Sequence, residues 1–474
     1  MGSVVENKSE PVHESFRDSL GTIEKSGKRH WMYPKQPSGK HYRWRSLVSY
    51  FYLAIFFTLP FIKINGQPLF LIDVLERKFI LFSVVFWPQD LFIFGIGMLA
   101  FMVFIVLFTI AFGRFFCGWI CPQTIFMEMV FRKVEYWIDG NAEDQRKLAE
   151  HPWDKNKIGK RALKYTMFFL ISLLIANTFL SYIIGVDEVM RIMVEPIGQH
   201  RGGFFAMLIF SLVFFGVYSW FREQVCIIVC PYGRLQGVLL DPNSIVVTYD
   251  YVRGEPREKA SHDHAKTGGD CVDCSLCVKV CPTGIDIRNG TQLECVNCTA
   301  CMDVCDSVMD KLHRPAKLIR YDSENGIKTG KKLAWNTRLK AYTAVLTLLI
   351  GFLVFLLVTR TDVDATVLRA GGQLFQERGE NEIMNLYVVK VINKTQESLP
   401  LTFKIENGDG HIEMVGDDLK VDKESKGEAT FFIVRDRKDI EERKTKIKIA
   451  VCSGDQKLQI VSTTFLGPVN RTNN

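Results

Sequence analysis

The sequence lacks several features that mark common classes of membrane protein. Its five long apolar runs contain none of the nine histidines, which disfavours a haem b held between two histidines within a membrane. The same runs are almost free of charged residues, so they mark no ion path of a transporter. No glycine-rich nucleotide fingerprint follows a strand pattern, and no signal peptide is evident in the polar first 46 residues. If the chain handles electrons, they must come from a separate donor or from quinol.

The apolar runs dominate what is present. Hydrophobic residues make up 47% of the 474 residues. They cluster at roughly 47–64, 91–112, 165–185, 203–221 and 341–358. A helix needs about 20 apolar residues to cross the hydrocarbon core, so these runs predict an α-helical bundle of about five transmembrane spans. Buried helices of a soluble core are disfavoured by the length of these charge-poor runs. A shorter run, 79–87, predicts an interfacial helix with Trp87 at the lipid headgroups.

Basic residues are unevenly distributed between the runs. Segments 1–46 and 113–164 carry nine and ten Lys or Arg, whereas the two alternate loops carry two each. The positive-inside rule therefore places the N-terminal segment, a flexible basic arm, on the inner side together with 222–340, and it places 359–474 outside. This topology explains the net charge of +7 better than nucleic-acid binding does. We expect the lipid bilayer as a partner and no nucleic acid.

Two cysteine runs of identical spacing form the strongest signal in the chain. Residues 271–282 read C-V-D-C-S-L-C-V-K-V-C-P, and residues 295–305 read C-V-N-C-T-A-C-M-D-V-C. Each is C-x2-C-x2-C-x3-C, the ligand run of bacterial two-cluster ferredoxins, whose fourth cysteine binds the other cluster. The runs predict an α+β two-[4Fe–4S] ferredoxin-like domain over 222–340. The predicted ligands are Cys271, Cys274, Cys277 and Cys305 for one cluster, and Cys281, Cys295, Cys298 and Cys301 for the other.

Other interpretations of these cysteines are weaker. Zinc also binds cysteine-rich runs, but two identical runs of this spacing disfavour it, and disulfides are disfavoured on a reducing side. The second run departs from the pattern, because Asp306 follows it where Pro282 follows the first. In the polar segment before the runs, His262 and His264 flank an aspartate, and we favour a solvated loop over a metal site there.

From about residue 375 the hydrophobic pattern alternates with period two. About seven short strands separated by Gly-, Asn- and Asp-rich turns fit an all-β immunoglobulin-like sandwich over 359–474. Cys452 is the lone cysteine of this segment, so the inter-sheet disulfide of antibody domains is excluded, and we expect a buried cysteine near a strand end. The segment shows no catalytic constellation and is expected to dock a partner or brace a complex.

Four cysteines remain, in two C-x3-C-P pairs that each follow an apolar run. Residues 116–124 read F-C-G-W-I-C-P-Q-T and residues 225–234 read V-C-I-I-V-C-P-Y-G-R. The i, i+4 spacing predicts both thiols of a pair on one helix face, with a proline disturbing the helix beyond. Thiolates suit soft metals such as Cu(I), zinc or iron–sulfur iron. Ordinary buried cysteines are one alternative. A disulfide within either pair is another, which the reducing side and the helical geometry disfavour. The candidate catalytic and copper-binding residues are Cys117, Cys121, Cys226 and Cys230.

The two C-x3-C-P pairs, the ferredoxin runs and the late sandwich occur in one order, which resembles the CcoG family, also called FixG or RdxA. These are bacterial accessory proteins of cytochrome c oxidase assembly, and the resemblance covers about residues 30 to 470. It implies a multi-pass protein of the bacterial inner membrane, with the ferredoxin domain cytoplasmic and the sandwich periplasmic. It further implies two [4Fe–4S] clusters, reduction of Cu(II) to Cu(I), and copper at the paired cysteines. The implied partners are the oxidase assembly machinery and copper chaperones or exporters.

The sequence alone leaves two other functions open. A ferredoxin-type quinol dehydrogenase subunit that passes electrons to a periplasmic reductase shares the cysteine elements, although such proteins generally lack the outside sandwich. A non-redox assembly scaffold would use its clusters only to stabilise the fold. The resemblance favours a cupric reductase over both.

Overall fold

The computed structural model of the chain describes residues 29–468, apart from 65, 74–77, 82–83, 87–89, 259–267, 331–336, 373, 380, 396, 418 and 441. The predictions for the start of the basic arm, for Trp87 and for His262 and His264 lie outside these residues. The chain divides into two compact units, one built mainly from residues up to Gly351 and the other mainly from Phe352 onwards.

The α-helices of the described residues are numbered in chain order. They are α1 Lys40–Thr58, α2 Leu91–Phe112, α3 Phe115–Trp119, α4 Pro122–Ile125, α5 Arg132–Asp139, α6 Ala142–Glu150, α7 Lys155–Ile184, α8 Val186–Val194, α9 Arg201–Gly216, α10 Pro231–Leu239, α11 Tyr251–Gly254, α12 Leu276–Lys279, α13 Ala300–Lys311, α14 Glu324–Thr329 and α15 Thr337–Val358. Two π-helical segments, Phe126–Phe131 and Val217–Phe221, continue α4 and α9, and a third covers Val225–Val229.

The strands are numbered in the same way. They are β1 Lys63–Ile64, β2 Gln67–Pro68, β3 Phe70–Asp73, β4 Lys78–Leu81, β5 Val84–Phe86, β6 Val246–Tyr249, β7 Ile319–Asp322, β8 Val363–Arg369, β9 Gln376–Arg378, β10 Glu382–Asn393, β11 Leu399–Pro400, β12 Thr402–Ile405, β13 His411–Val415, β14 Lys420–Val421, β15 Lys426–Asp436, β16 Lys444–Ser453 and β17 Gln456–Leu466.

Four helices of the described residues are long and apolar enough to cross a membrane. They are Phe92–Phe112, Lys155–Ile184, Arg201–Phe221 and Thr337–Val358. These confirm four of the five predicted spans. The first run, 47–64, is not among them, because α1 begins at Lys40 and carries Arg43 and Arg45 in its first turns, which leaves a short apolar part. That apolar end lies beside the end of α7, where the Tyr182 hydroxyl donates to the Phe56 carbonyl over 2.8 Å.

The segment 79–87 differs from its predicted interfacial helix. It contributes β4, which pairs antiparallel with β3, and β5. Its Val- and Phe-rich residues favour extended backbone, and a run this short cannot be assigned to helix or strand from periodicity.

A network of buried ion pairs joins the polar ends of the apolar helices. Glu135 on α5 accepts from Lys164 Nζ at 2.5 Å and from Arg222 Nη2 at 2.7 Å. Lys164 also contacts Asp139 at 2.7 Å, and all four side chains are almost fully buried. Burial alone raises the pKa of Glu135, but the charges of Arg222 and Lys164 outweigh it and lower that pKa to about 2. The network fixes α5, α7 and the segment after α9 to one another.

The region between α9 and α15 has the predicted α+β character. Strands β6 and β7 pair antiparallel from Val246↔Asp322 to Tyr249↔Ile319. Helices α12 and α13 each begin within one cysteine run, and their buried residues join those of the two strands in one core. This core holds the two cysteine runs in place.

The second unit is the predicted immunoglobulin-like sandwich. One sheet has the order β13-β15-β10-β8, with β9 also on β10, and another has the order β12-β16-β17. Buried side chains from both sheets, among them Tyr387 and Phe431 with 0% exposure, form its core. Cys452 lies buried near the end of β16, as expected.

Candidate functional site

The two cysteine runs fold into loops of matching backbone conformation. In the first loop, Asp273 and Ser275 have φ values of 47° and 55°, and in the second, Asn297 and Thr299 have values of 54° and 65°. Each pair occupies the second and fourth positions after the first cysteine of its run. Left-handed backbone is unfavourable for residues other than glycine, and it persists where surrounding structure demands it. Its recurrence at equivalent positions indicates that the two loops are built alike. We call loop 271–277 the first cradle and loop 295–301 the second cradle.

Each cradle encloses a small cavity lined by one predicted ligand set. One cavity is lined by Cys271, Cys274, Cys277 and Cys305. The other is lined by Cys281, Cys295, Cys298 and Cys301, together with Cys277. Each ligand set supplies four thiols, which is the number that a [4Fe–4S] cluster requires. The cysteines therefore fit two iron–sulfur clusters, with the fourth cysteine of each run crossing to the other cradle.

Arginine side chains approach both cradles. Burial raises the pKa of Cys277 to about 12, and the charge of Arg288 opposes the rise. Arg288 itself pairs with Asp286 and Asp273. In the other cradle, burial raises the pKa of Cys298 to about 11, and the charge of Arg45 opposes it. Metal binding at Cys277 and Cys298 is therefore expected to release their protons.

The two C-x3-C-P pairs do not lie on continuous helices. Cys117 is in α3, which ends at Trp119, and Cys121 is the residue before α4, with ψ 125°. Cys226 is in the π-helical turn Val225–Val229, and Cys230 precedes α10 with ψ 111°. The predicted common helix face is therefore wrong for both pairs. A residue before proline is driven to extended backbone, and proline is favoured at the first helical position.

The structure nevertheless brings the two pairs into one neighbourhood, because Cys117 contacts Gln236 on the helix that follows Cys230. Burial raises the pKa of Cys117 to about 11 and that of Cys226 to about 12, and the charges of neighbouring cysteines of the set contribute to both rises. Cys117 Sγ donates to Gln236 Oε1 at 3.2 Å, and Arg114 Nε donates to the same oxygen at 3.0 Å. We call these four cysteines the thiol cluster. It is not a closed single-ion site within the described residues.

The backbone between Cys117 and Cys121 packs directly against the second cysteine run. A Cβ atom on Gly118 would lie 2.4 Å from the Val296 carbonyl oxygen and 2.7 Å from that of Asn297. Both carbonyls belong to the loop between Cys295 and Cys298. Trp119 Nε1 donates to the Tyr321 hydroxyl at 3.1 Å, and this hydroxyl donates to the Asn297 carbonyl at 3.1 Å.

Arg45 occupies the same junction. Its side chain is 2% exposed, and its Nε donates to the Gly118 carbonyl at 2.7 Å. Its guanidinium also lies near Cys298. The N-terminal end of α1 is fixed at this place, because the backbone N–H groups of His41 and Tyr42 donate to Asp303 on α13. Arg45 therefore bridges the backbone of the thiol cluster and the second cradle.

Sequence reasoning missed Arg45, Arg114 and Gln236. Arg45 was assigned to a flexible arm, whereas it lies in α1. Arg114 stands three residues before Cys117, so a basic residue beside a cysteine pair was an available signal. Gln236 carried no signal, since it is one amide in an ordinary helical segment.

Comparison with known families gives three matches along the chain. Residues 221–324 match a family described as a 4Fe-4S dicluster domain. Residues 94–141, which include Cys117 and Cys121, match a 4Fe-4S binding domain. Residues 353–468 match a family described as the IG-like fold at the C-terminal of FixG.

Whole-chain relatives agree with these matches. The nitrogen fixation protein FixG of Rhizobium meliloti is 33% identical over 425 residues, covering 80% of this chain and 80% of FixG. Protein RdxB of Cereibacter sphaeroides is 33% identical over 388 residues, covering 78% of this chain and 81% of RdxB. A solved FixG-related protein from Vibrio parahaemolyticus aligns to 23% of this chain and 100% of its own at 21% identity, with a TM-score of 0.21, which adds nothing to the assignment.

Proposed function

This chain belongs to the FixG (CcoG) family, and from that premise we propose that it is the cupric reductase which supplies Cu(I) for assembly of a haem–copper oxidase. The chain is a membrane iron–sulfur protein of the electron-transfer type. The proposal adds the substrate, Cu(II), and the place of reduction, the thiol cluster. It also adopts the predicted orientation, with the ferredoxin domain in the cytoplasm and the sandwich in the periplasm.

The observation that carries the proposal is a backbone contact beside the first cysteine pair. Gly118, between Cys117 and Cys121, lies against the backbone between Cys295 and Cys298. This contact would give an electron a path through packed backbone from the second cradle to the first cysteine pair.

The residue chemistry agrees with this substrate. Two [4Fe–4S] clusters held by the eight cysteines of the runs would supply single electrons. Reduction of Cu(II) to Cu(I) takes one electron, and the cluster that gives the electron would be oxidised in the same step. Cu(II) prefers nitrogen and oxygen ligands and Cu(I) prefers sulfur, so an all-thiol site holds the product more tightly.

A copper titration tests the proposal. Anaerobically purified, reduced full-length protein is titrated with Cu(II), and EPR follows the reduced-cluster and Cu(II) signals in the same samples. We expect both signals to disappear together, at about one copper per electron stored. A Cu(II) signal that persists while the clusters stay reduced would overturn the proposed reduction of copper. It would favour the quinol dehydrogenase or the scaffold hypothesis.

Replacing Gly118 by alanine is expected to separate the thiol cluster from the second cradle. The new Cβ would meet two backbone carbonyls at 2.4 and 2.7 Å, and backbone cannot yield as a flexible side chain does. We expect a loss of about 1–3 kcal/mol in the free energy of unfolding and slower copper reduction by chemically reduced protein, at unchanged iron content. The control is Gly159→Ala on α7, where a Cβ meets nothing within 4 Å. Equal copper-reduction rates in the two variants would contradict the proposed path.

A further inference from the structure

A cavity of about 870 Å³ lies beside the second cradle, outside the thiol cluster. Three segments of the first unit line it: 30–38, 141–144 with Arg146, and Leu276 with 278–279 and Cys281. None of these residues belongs to the four long apolar helices. The volume falls within the range of small-molecule and cofactor sites.

The wall formed by segment 30–38 is firmly attached. Arg29, just before it, pairs with Glu223 at 2.9 Å. The Lys35 N–H donates to the Lys279 carbonyl at 2.8 Å, and the Tyr136 hydroxyl donates to the Pro34 carbonyl at 3.0 Å. The cavity is therefore bounded by fixed structure on this side.

The cavity adjoins a predicted cluster ligand. Cys281 lines this cavity and also the smaller cavity of the second cradle. Leu276, on the helical turn that leads to Cys281, lines the large cavity and also the cavity of the first cradle. A molecule bound in the large cavity would thus lie one side chain away from the second cradle.

The lining combines apolar, aromatic and cationic groups. Tyr33 contributes an aromatic ring, and Lys35, Arg146 and Lys279 contribute positive charge. Trp31 also lines the wall, with the guanidinium groups of Arg29 and Arg222 over its ring at 4.3 and 4.8 Å. The acidic groups are Glu143 and Asp144, and Asp144 is already engaged in capping α6 through the Asn141 N–H. The wall suits a planar aromatic ligand that carries an anionic group.

We propose that this cavity is the electron-entry site and binds flavin mononucleotide. The inference rests on the proposed function and names its electron donor. A reduced flavin releases two electrons and two protons, and it can release the electrons singly to one-electron acceptors. Nicotinamide nucleotides transfer a hydride and cannot do so, and a quinol would have to leave the bilayer to reach these residues. The oxidised flavin is the product, and the protons go to solvent.

The test uses flavin mononucleotide itself and the full-length protein loaded with iron–sulfur clusters. Equilibrium dialysis and flavin fluorescence measure binding to the wild type and to two charge reversals on neighbouring residues of α6. Arg146→Glu reverses a charge on the cavity wall, whereas Lys147→Glu makes the same change outside it. We expect saturable binding of one flavin per chain, weakened about tenfold by Arg146→Glu and unchanged by Lys147→Glu.

A second readout follows the clusters. Photoreduced flavin mononucleotide should bleach the iron–sulfur absorbance more slowly in Arg146→Glu than in Lys147→Glu. Absence of saturable binding, or equal effects of the two reversals on binding or on bleaching, would overturn the entry site. Copper reduction by dithionite-reduced protein bypasses this site, so its failure would count against the cupric reductase alone.

Discussion

The double variant Cys117→Ser, Cys121→Ser is expected to lose Cu(II) reduction by on the order of 100-fold while keeping both iron–sulfur clusters. The serine hydroxyls remove the soft ligands that favour Cu(I), whereas neither residue lines the two cradles. Iron content and the reduced-cluster EPR signal should match the wild type. Stopped-flow loss of the Cu(II) signal after mixing with reduced protein gives the rate.

Cys452→Ser is the matched control, since it removes one buried thiol from the sandwich. We expect it to leave copper reduction unchanged. Two results would oppose the assignment of the first pair. Unchanged copper reduction would place the site elsewhere. A loss of iron would show that Cys117 and Cys121 hold an iron–sulfur group, which is what the name of the family matched over 94–141 describes.

Arg222→Met is expected to lower the free energy of unfolding by about 3–5 kcal/mol, because it leaves Glu135 buried with one of its two cationic partners gone. Arg222 and Glu135 are each 2% exposed, and their contact is 2.7 Å. Denaturant unfolding in detergent micelles measures the change. The control is Arg191→Met, which breaks an exposed pair with Glu188 and should cost about 0–1 kcal/mol.

The same network predicts a pH dependence. The pKa of Glu135 falls from its ordinary value of 4.5 to about 2 in the folded chain. Its contribution to stability is therefore complete above the unfolded pKa and is lost as pH falls from about 4.5 towards 2. This part of the pH dependence should be smaller in Arg222→Met. Equal unfolding free energies in Arg222→Met and Arg191→Met would mean that the network contributes little.

Most of the architecture was predictable because each part has its own sequence pattern, either a hydrophobic period or a fixed spacing of cysteines. Four apolar runs, the C-x2-C-x2-C-x3-C spacing and the alternating strands of β10, β15 and β16 are local patterns that specify local structure. The structure also brings together both predicted sets of four cysteines. The spacing of each run predicts that its fourth cysteine joins the first three cysteines of the other run.

The features that were not predictable depend on contacts between distant residues. The composition of the first run, 47–64, predicted a transmembrane span. The helix instead begins earlier, at a charged end that is held by Asp303, more than 250 residues later in the chain. Segment 79–87 was too short for its pattern to decide between helix and strand. The meeting of the two C-x3-C-P pairs required α3 and α10 to pack, which no local pattern encodes. The break within each pair was predictable in principle from Pro122 and Pro231.

The matching backbone of the two cradles has a consequence for where electrons rest. Because Asp273 and Ser275 repeat the conformation of Asn297 and Thr299, the loop backbone gives no bias between the cradles, and any bias has to come from the side chains around them. Arg288 is paired with Asp286 and Asp273. Arg45 lies near Cys298 and forms no ion pair within the described part of the chain, and Glu128, whose charge acts on Cys298 in the opposite sense, is paired with Arg132. A positive charge without a counter-ion favours the electron-loaded state of a nearby cluster, so electrons should rest in the cradle that faces Gly118.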